Sequence, residues 1–254
     1  ILSRKLVTLK DDVPVKDDPS SFVFKEINKE NLFNFLRDME FNRLLSQAIN
    51  FYGEEKKGII NKKINNKISK INTKYYKSIL TEKDLDELIK ILNEKSSISV
   101  DTETSSLNPL EADLVGISFS YAPNKAYYIP IAHKKIKSIK KETVIKKIKP
   151  ILEDPSIKKI GQNMKYDFII LKNNGIEVKP IEDTMLLSYT LDAGNNRHNM
   201  DTLSEIHLGH KTISYKELVG TGKKQLNFSD INLEEATKYA AEDADVTLRL
   251  YDLL

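Results

Sequence analysis

Along most of residues 75–254 apolar positions either alternate or recur every third or fourth residue, and the two periods sort the chain into strands and helices. Strand patterns cover 75–80, the Asp101 segment with its lead-in Ile98-Ser99, 114–121, 125–131 and 157–160. Pro123-Asn124 joins the third to the fourth. Helical patterns follow Thr81-x-x-Asp84, an approximate capping box before Leu85, Leu88, Ile89 and Leu92, and run again over 141–152 and from Asn163 to a stop at Gly175. The remainder reads as helical, with turns at Gly194, Gly209 and Gly220 to Gly222. Three successive strands, then alternating helix and strand, then helices predict a mixed α/β sheet flanked by helices, with its active edge where the Asp101 strand ends.

The first 73 residues differ. Residues 1–21 read as a tail. Leu32, Phe35, Leu36, Met39, Leu44, Leu45, Ala48, Ile49 and Tyr52 then recur at helical spacing, predicting one or two amphipathic helices that end at Gly53. Residues 56–77 carry eight lysines and no acid, and read as a solvated linker or a basic arm. The expected organisation is therefore a helical extension over 1–73 and a globular domain over 74–254. The first residue is Ile1, which suggests a piece of a longer chain.

Composition narrows the compartment and the ligands. No cysteine is present, which excludes disulfides and thiolate zinc sites and fits an intracellular setting. There is no apolar run of membrane-spanning length and no signal-peptide pattern, so no membrane partner is expected. Net charge is only +3, yet the cations are 35 Lys to 5 Arg. Lysine suits sequence-blind attraction to phosphate, although an AT-rich genome explains the same bias equally well.

Candidate chemistry lies in four acids that break their local patterns. If the lead-in is a strand, Asp101 and Glu103 point to one side and Thr102 to the other. Such a pair, taken alone, reads as a solvated strand exit. Asp167 falls within the stripe Met164, Phe168, Leu171, and Asp243 within the stripe Ala236, Tyr239, Ala240, Val246, Thr247, Leu250, with no Arg or Lys in either. Glu242 and Asp245 fall off that face and are expected in solvent. A carboxylate facing a core is costly unless it is paired or bound to metal, and one shared metal cluster would satisfy all four acids. Tyr239 with Asp243, and Asn163 with Asp167, are four residues apart and share helix faces. Tyr239 alone reads as a core tyrosine, but a hydroxyl beside a carboxylate can hold a water. Two cations about 3.5 to 4 Å apart are the arrangement that hydrolyses phosphodiesters. His207-x2-His210 is interrupted by Gly209 and reads as surface histidines, and His133 and His198 suggest nothing further.

Asp101-x-Glu103, Asn163-x3-Asp167 and Tyr239-x3-Asp243 resemble the three motifs of the DnaQ-like exonucleases with tyrosine in the third motif. The wording is closer to one branch. GQNMKYD from Gly161, Asp183-Thr184-Met185, Arg197-His198-Asn199-Met200-Asp201, HKTISYKEL from His210 and YAAEDADVTL from Tyr239 resemble the proofreading domain of family A, Klenow-type DNA polymerases. The resemblance runs from about Tyr75 to the C-terminus, and the Met39-Glu40-Phe41 helix resembles the segment before that domain. It implies a ribonuclease H-like sheet, 3′ to 5′ removal of nucleotides from single-stranded DNA ends, and a polymerase domain in the same natural chain. It implies two divalent cations, Mg²⁺ or Mn²⁺, the first held by Asp101, Glu103 and Asp243 and the second by Asp101 and Asp167. Tyr239 and Glu103 would orient the attacking water. Leu107 and Tyr215 match positions that wedge and stack against terminal bases, and Thr104, Gln162, Asn163, Tyr166 and Arg197 match positions along the strand's path. Within the family, the Lys, Asn and Ile bias suggests apicoplast polymerases, with the bacterial cytoplasm as the alternative location. Two rival readings share the acids: an RNase D-like exoribonuclease, and a non-catalytic single-strand-binding module bracing a polymerase.

Overall fold

The computed structural model describes residues 2–9, 12–14, 18, 20, 22–23, 26–53, 70–194, 196–222 and 225–254, and the chain divides into two compact units, 1–59 and 60–254. In the first unit, Leu2–Val7 is a short helix, α1, with no buried residue, where the sequence suggested only a tail. The predicted amphipathic segment is two helices, α2 (Lys29–Asp38) and α3 (Asn42–Tyr52), broken where Glu40 takes a left-handed φ of 55°. Gly53 caps α3 as expected, and Asn28 caps α2 by accepting from the Asn31 N–H. Most of the lysine-rich 56–77 segment lies outside the described residues.

The second unit is built on a six-stranded mixed sheet. Its strands are β1 (Lys77–Ser78), β2 (Ser97–Thr104), β3 (Leu114–Ala122), β4 (Lys125–Pro130), β5 (Lys158–Gly161) and β6 (Ile181–Asp183), in the order β1-β4-β3-β2-β5-β6. The expected meander is present: β2, β3 and β4 are antiparallel neighbours, with Asn124 at φ 62° in the β3–β4 turn. The parallel strands β5 and β6 then extend the sheet beyond β2. The sequence missed β6, because three residues are too few to show a period, and it overextended β1, which pairs with β4 over only two positions.

Register explains the two faces. Ile98, Val100, Ile117, Phe119 and Ile129 form one apolar side and pack with α4 (Glu82–Asn93), α5 (Lys141–Glu153) and α6 (Met164–Asn173). Thr81 caps α4 as predicted, accepting from the Asp84 N–H at 3.2 Å. The other side is small and polar: Ser99 lies opposite Ser120, Asp101 opposite Ser118 and Glu103 opposite Gly116. Against the β2, β3 and β4 strands lies α10 (Leu233–Tyr251), the last helix, whose Ala236, Ala240, Ala241 and Ala244 are fully buried. Between α6 and α10 run α7 (Thr184–Asp192), α8 (Met200–Leu203), a π-helical turn over Ser204–Leu208 and α9 (Tyr215–Val219).

Small side chains on both surfaces let α10 sit close over the end of β2. Gly116 is the tightest point: a Cβ there would fall 2.1 Å from the Tyr128 hydroxyl oxygen. Tyr128 is itself fully buried, and its hydroxyl is 2.7 Å from His133 Nε2, so the ring has little room to move. Gly116→Ala should therefore destabilise the fold by roughly 1–3 kcal/mol, the usual cost of overpacking a filled core. Urea unfolding measures this, and an unchanged midpoint would show that the ring is freer than its partners imply.

Candidate active site

Asp101 and Glu103 emerge from the α10 side of β2, and Asp243 reaches them from α10. One carboxylate oxygen from each lies within 4.8 Å of the others. A register shift between Glu103 and Thr104 ends regular pairing at that point, turning the chain away into the loop that carries Leu107. Asp167 comes from the opposite side of the sheet. Its Oδ1 accepts the Thr102 N–H at 2.9 Å and also the Thr102 hydroxyl, which fixes the carboxylate against β2. Tyr239, one turn before Asp243, sets its hydroxyl near the Asp243 carboxylate and favours its charged form.

The electrostatics of the four acids are strongly unfavourable. Burial first, and then the neighbouring charges of Asp167, Glu103 and Asp243, push Asp101 well above the usual carboxylate range. Burial, Asp243 and Asp167 do the same to Glu103, and burial and Glu242 to Asp243. Asp167 is pushed up to about 7 by burial, against the pull of its Thr102 hydrogen bonds. Glu103 Oε1 is buried without a hydrogen-bond partner. A hard divalent cation is the group that fits an all-oxygen, all-acid donor set of this kind. Asp101, Glu103 and Asp243 would hold it, and Asp167 lies close enough to add its charge to Asp101.

The neighbouring acids of α10 correct the expectation that they are solvated. From Ala240 to Leu250 every residue of the helix is buried, so it has no solvent face for Glu242 or Asp245. Glu242 accepts the Ile213 N–H at 2.6 Å and lies 2.9 Å from His210 Nε2. Asp245 is clamped by Arg249 at 3.0 and 3.1 Å, by the Tyr76 hydroxyl at 2.8 Å and by the Asn124 N–H. His210 is thus a partner of a buried acid. His133 is buried too, bonded to Tyr128, and burial lowers its pKa, and His198 Nδ1 is 2.9 Å from the Ser188 hydroxyl.

A cleft of about 830 Å³ opens above the acids. Thr104, Leu107, Asn163, Tyr166 and Tyr215 line it, together with Asp101, Glu103, Tyr239 and Asp243. Tyr166 donates to the Ser106 carbonyl and meets the Thr104 hydroxyl, both at 2.5 Å, fixing the loop after β2. Asn163 sits just outside α6 at φ 59°, in the left-handed region that asparagine tolerates. Tyr215 has one ring face stacked on Phe228 (centroids 6.5 Å apart, planes 4° apart) and meets Tyr239 edge-on at 5.9 Å. Gln162 and Arg197 do not border this cleft. Gln162 donates to the His198 carbonyl and accepts from Thr184, and Arg197 lines a separate groove beside Met185 and Tyr189.

Sequence reasoning gave no role to two further groups. Asp183 accepts the N–H groups of Asn163 (3.1 Å), Met164 (2.8 Å) and Met185 (2.9 Å), capping α6 and α7 at once and anchoring the helix that carries Asp167. An acid just ahead of a helical run was its available signal. The cleft's other wall is Gln225, Leu226 and Asn227, in a loop with no periodicity to mark it.

A profile of the family described as 3′-5′ exonuclease matches residues 76–254. DNA polymerase I of Pseudomonas aeruginosa is 37% identical over 260 residues, covering 100% of this chain and 28% of that protein. DNA polymerase I of Borreliella burgdorferi is 36% identical over 265 residues, covering 99% of this chain and again 28% of the relative, so the chain spans little more than a quarter of either. Among solved structures, Escherichia coli RNase D superposes with a TM-score of 0.54 at 21% identity, over 70% of this chain and 44% of that one. Trypanosoma brucei RNase D gives 0.58 at 16%, over 70% and 64%. At such identities the likeness carries the fold alone, which is the ribonuclease H-like sheet expected of DnaQ-like exonucleases. The two polymerases are bacterial and lend no support to the apicoplast expectation. Among the described residues no helix is long and apolar enough to cross a membrane.

The raised carboxyl pKa values fix a sign for stability. A group whose folded pKa exceeds its unfolded value, as with Asp167 at about 7 against 3.8, stabilises fully below the unfolded value, and that contribution is lost as pH rises through the folded one. Without metal, Asp243→Asn should therefore melt above the native chain at pH 8, by roughly 2–4 °C for each kcal/mol of repulsion removed. The gap should close towards pH 5, and Mg²⁺ should raise the native chain more than the variant. A variant that melts lower at pH 8 would mark Asp243 as a structural partner.

Proposed function

Since the chain belongs to the 3′-5′ exonuclease family, we propose that it removes nucleotides from the 3′ end of single-stranded DNA, releasing 5′ mononucleotides, as the editing domain of a family A DNA polymerase. Residues 74–254 form the catalytic domain, and the polymerase domain belongs to the same natural chain. The observation that supports this best is the group of three carboxylates, Asp101 partly buried and Glu103 and Asp243 buried, with Glu103 Oε1 unpartnered, set at the floor of a cleft rather than in a closed core.

Asp101, Glu103 and Asp243 would hold one divalent cation, and Asp101 with Asp167 would hold a second. Bound Mg²⁺ or Mn²⁺ supplies Lewis-acid polarisation of the attacked phosphate and of the attacking water. The chain's own part is positioning. Burial and the adjacent acids push the Tyr239 hydroxyl well above its ordinary pKa, so it stays protonated and serves to orient a water, not to take its proton. Its nearness to Asp243 and its edge contact with Tyr215 fix where that hydroxyl points. Thr102 holds one oxygen of Asp167, which sets the direction of the other. Leu107 and Tyr215 offer apolar surface to unpaired bases, and Thr104, Asn163 and Tyr166 offer polar atoms to the strand.

The test is release of nucleotides from single strands labelled at one end or the other, in Mg²⁺, with a matched RNA competing at equal concentration. DNA shortened from its 3′ end, and inhibited by EDTA, is expected. Shortening from the 5′ end overturns the polarity, and preference for RNA overturns the substrate, because the discriminating contact is to the 2′ hydroxyl and not to the metal site.

Two substitutions separate the roles. Asp243→Ala should nearly abolish release. Tyr239→Phe, which keeps the ring and its packing, should slow it roughly 10- to 1000-fold in single-turnover measurements, the scale of one positioned hydrogen-bonding group. Equal losses in the two variants would mean that Tyr239 does more than orient.

A further inference from the structure

We propose that Leu226 is a substrate-positioning residue that, with Leu107, holds the terminal base of a single strand in the cleft. The proposal rests on the exonuclease reading above and adds a second wall to the binding site. Leu107 is 90% exposed and Leu226 is 49% exposed, and both border the cleft above the acids. One exposed leucine is ordinary. Two, delivered by segments more than a hundred residues apart to the rim of one acidic cleft, need a ligand with an apolar surface.

The backbone around Leu226 is fixed while its side chain is left open. Its N–H donates to the Val219 carbonyl at 2.8 Å. Asn227, the next residue, donates through Nδ2 to the Ser105 carbonyl at 2.9 Å and accepts the Ser229 N–H at 3.0 Å. That first bond ties the Leu226 segment directly to the loop carrying Leu107, so the two walls are held at a set separation. Tyr215, with one ring face already covered by Phe228, completes the apolar lining. A nucleobase has apolar faces and polar edges, and leucines gripping its faces are indifferent to which base it is.

Leu226→Ala shortens a side chain that is half exposed and belongs to no core cluster, so the melting temperature should change little. Binding of a single-stranded oligothymidylate, read by anisotropy in Ca²⁺, should weaken about 3- to 30-fold, the range that fits partial burial of one leucine side chain. In Mg²⁺, KM should rise by a similar factor with kcat nearly unchanged. On an oligonucleotide whose 3′-terminal residue lacks its base, the native chain and the variant should behave alike. Unaltered binding and KM on the base-bearing strand, or equal weakening on the abasic one, overturns the role of Leu226. If the native chain binds but releases nothing, the exonuclease reading fails, and the binding comparison still decides whether Leu226 grips a base.

Discussion

Repulsion among buried carboxylates at the end of β2 is the constraint around which the second unit is arranged. α10 carries three acids within four residues, and their fates differ. Asp245 is paired with Arg249 and held by two further donors, and Glu242 accepts a backbone N–H and lies against a histidine. Asp243, between them, is turned towards Asp101 and Glu103 and has, among the described residues, the Tyr239 hydroxyl as its nearby polar neighbour on α10. The fold therefore has the means to satisfy a buried acid and withholds them at one place. Lys159 makes the same point for a cation. It is fully buried, and its ammonium donates to the carbonyls of Asp154 at 2.7 Å and Ile157 at 2.5 Å near the end of α5. A buried charge left without such partners calls for an external counter-charge.

Bringing Asp243 to β2 depends on size as much as on charge. Serines, Gly116 and the alanines of α10 leave no bulk between helix and sheet, and the large side chains are displaced towards one end. There Tyr128, His133, Phe228, Tyr215 and Tyr239 form a continuous aromatic train, with neighbouring centroids 5.8 to 6.5 Å apart. It starts beneath Gly116, behind Glu103, and ends at the hydroxyl near Asp243. The packing that supports α10 thus also fixes the side chains facing the cleft.

Much of this was legible because it is periodic. Alternation put Asp101 and Glu103 on one side of β2, and helical spacing marked Asp167 and Asp243 as acids among apolar residues. The same reasoning failed on Glu242 and Asp245, since a helix buried on every side has no polar face for its remaining acids, and their partners come from residues as far away as Tyr76 and Ile213. Asp183 was visible only as part of a motif, because its work, capping two helices separated by a strand, is a tertiary fact.

What stays least legible is also what must carry specificity. On the proposed reading the carboxylates would address a phosphate, and phosphate is common to DNA and RNA, so a fold shared with ribonucleases is compatible with either substrate. Discrimination has to come from groups that meet sugars and bases, and those line the cleft above the acids. Its walls are the loop after β2, anchored by Tyr166, and the segment around Leu226, anchored by Asn227. Neither has a hydrophobic period, because neither packs a face against the core, and each is held by hydrogen bonds between distant residues. The candidate metal-binding acids can be read from one strand and two helices because the local periodicity marks them. The residues proposed to meet the substrate escape that pattern for the reason that would make them useful, which is that their side chains face solvent.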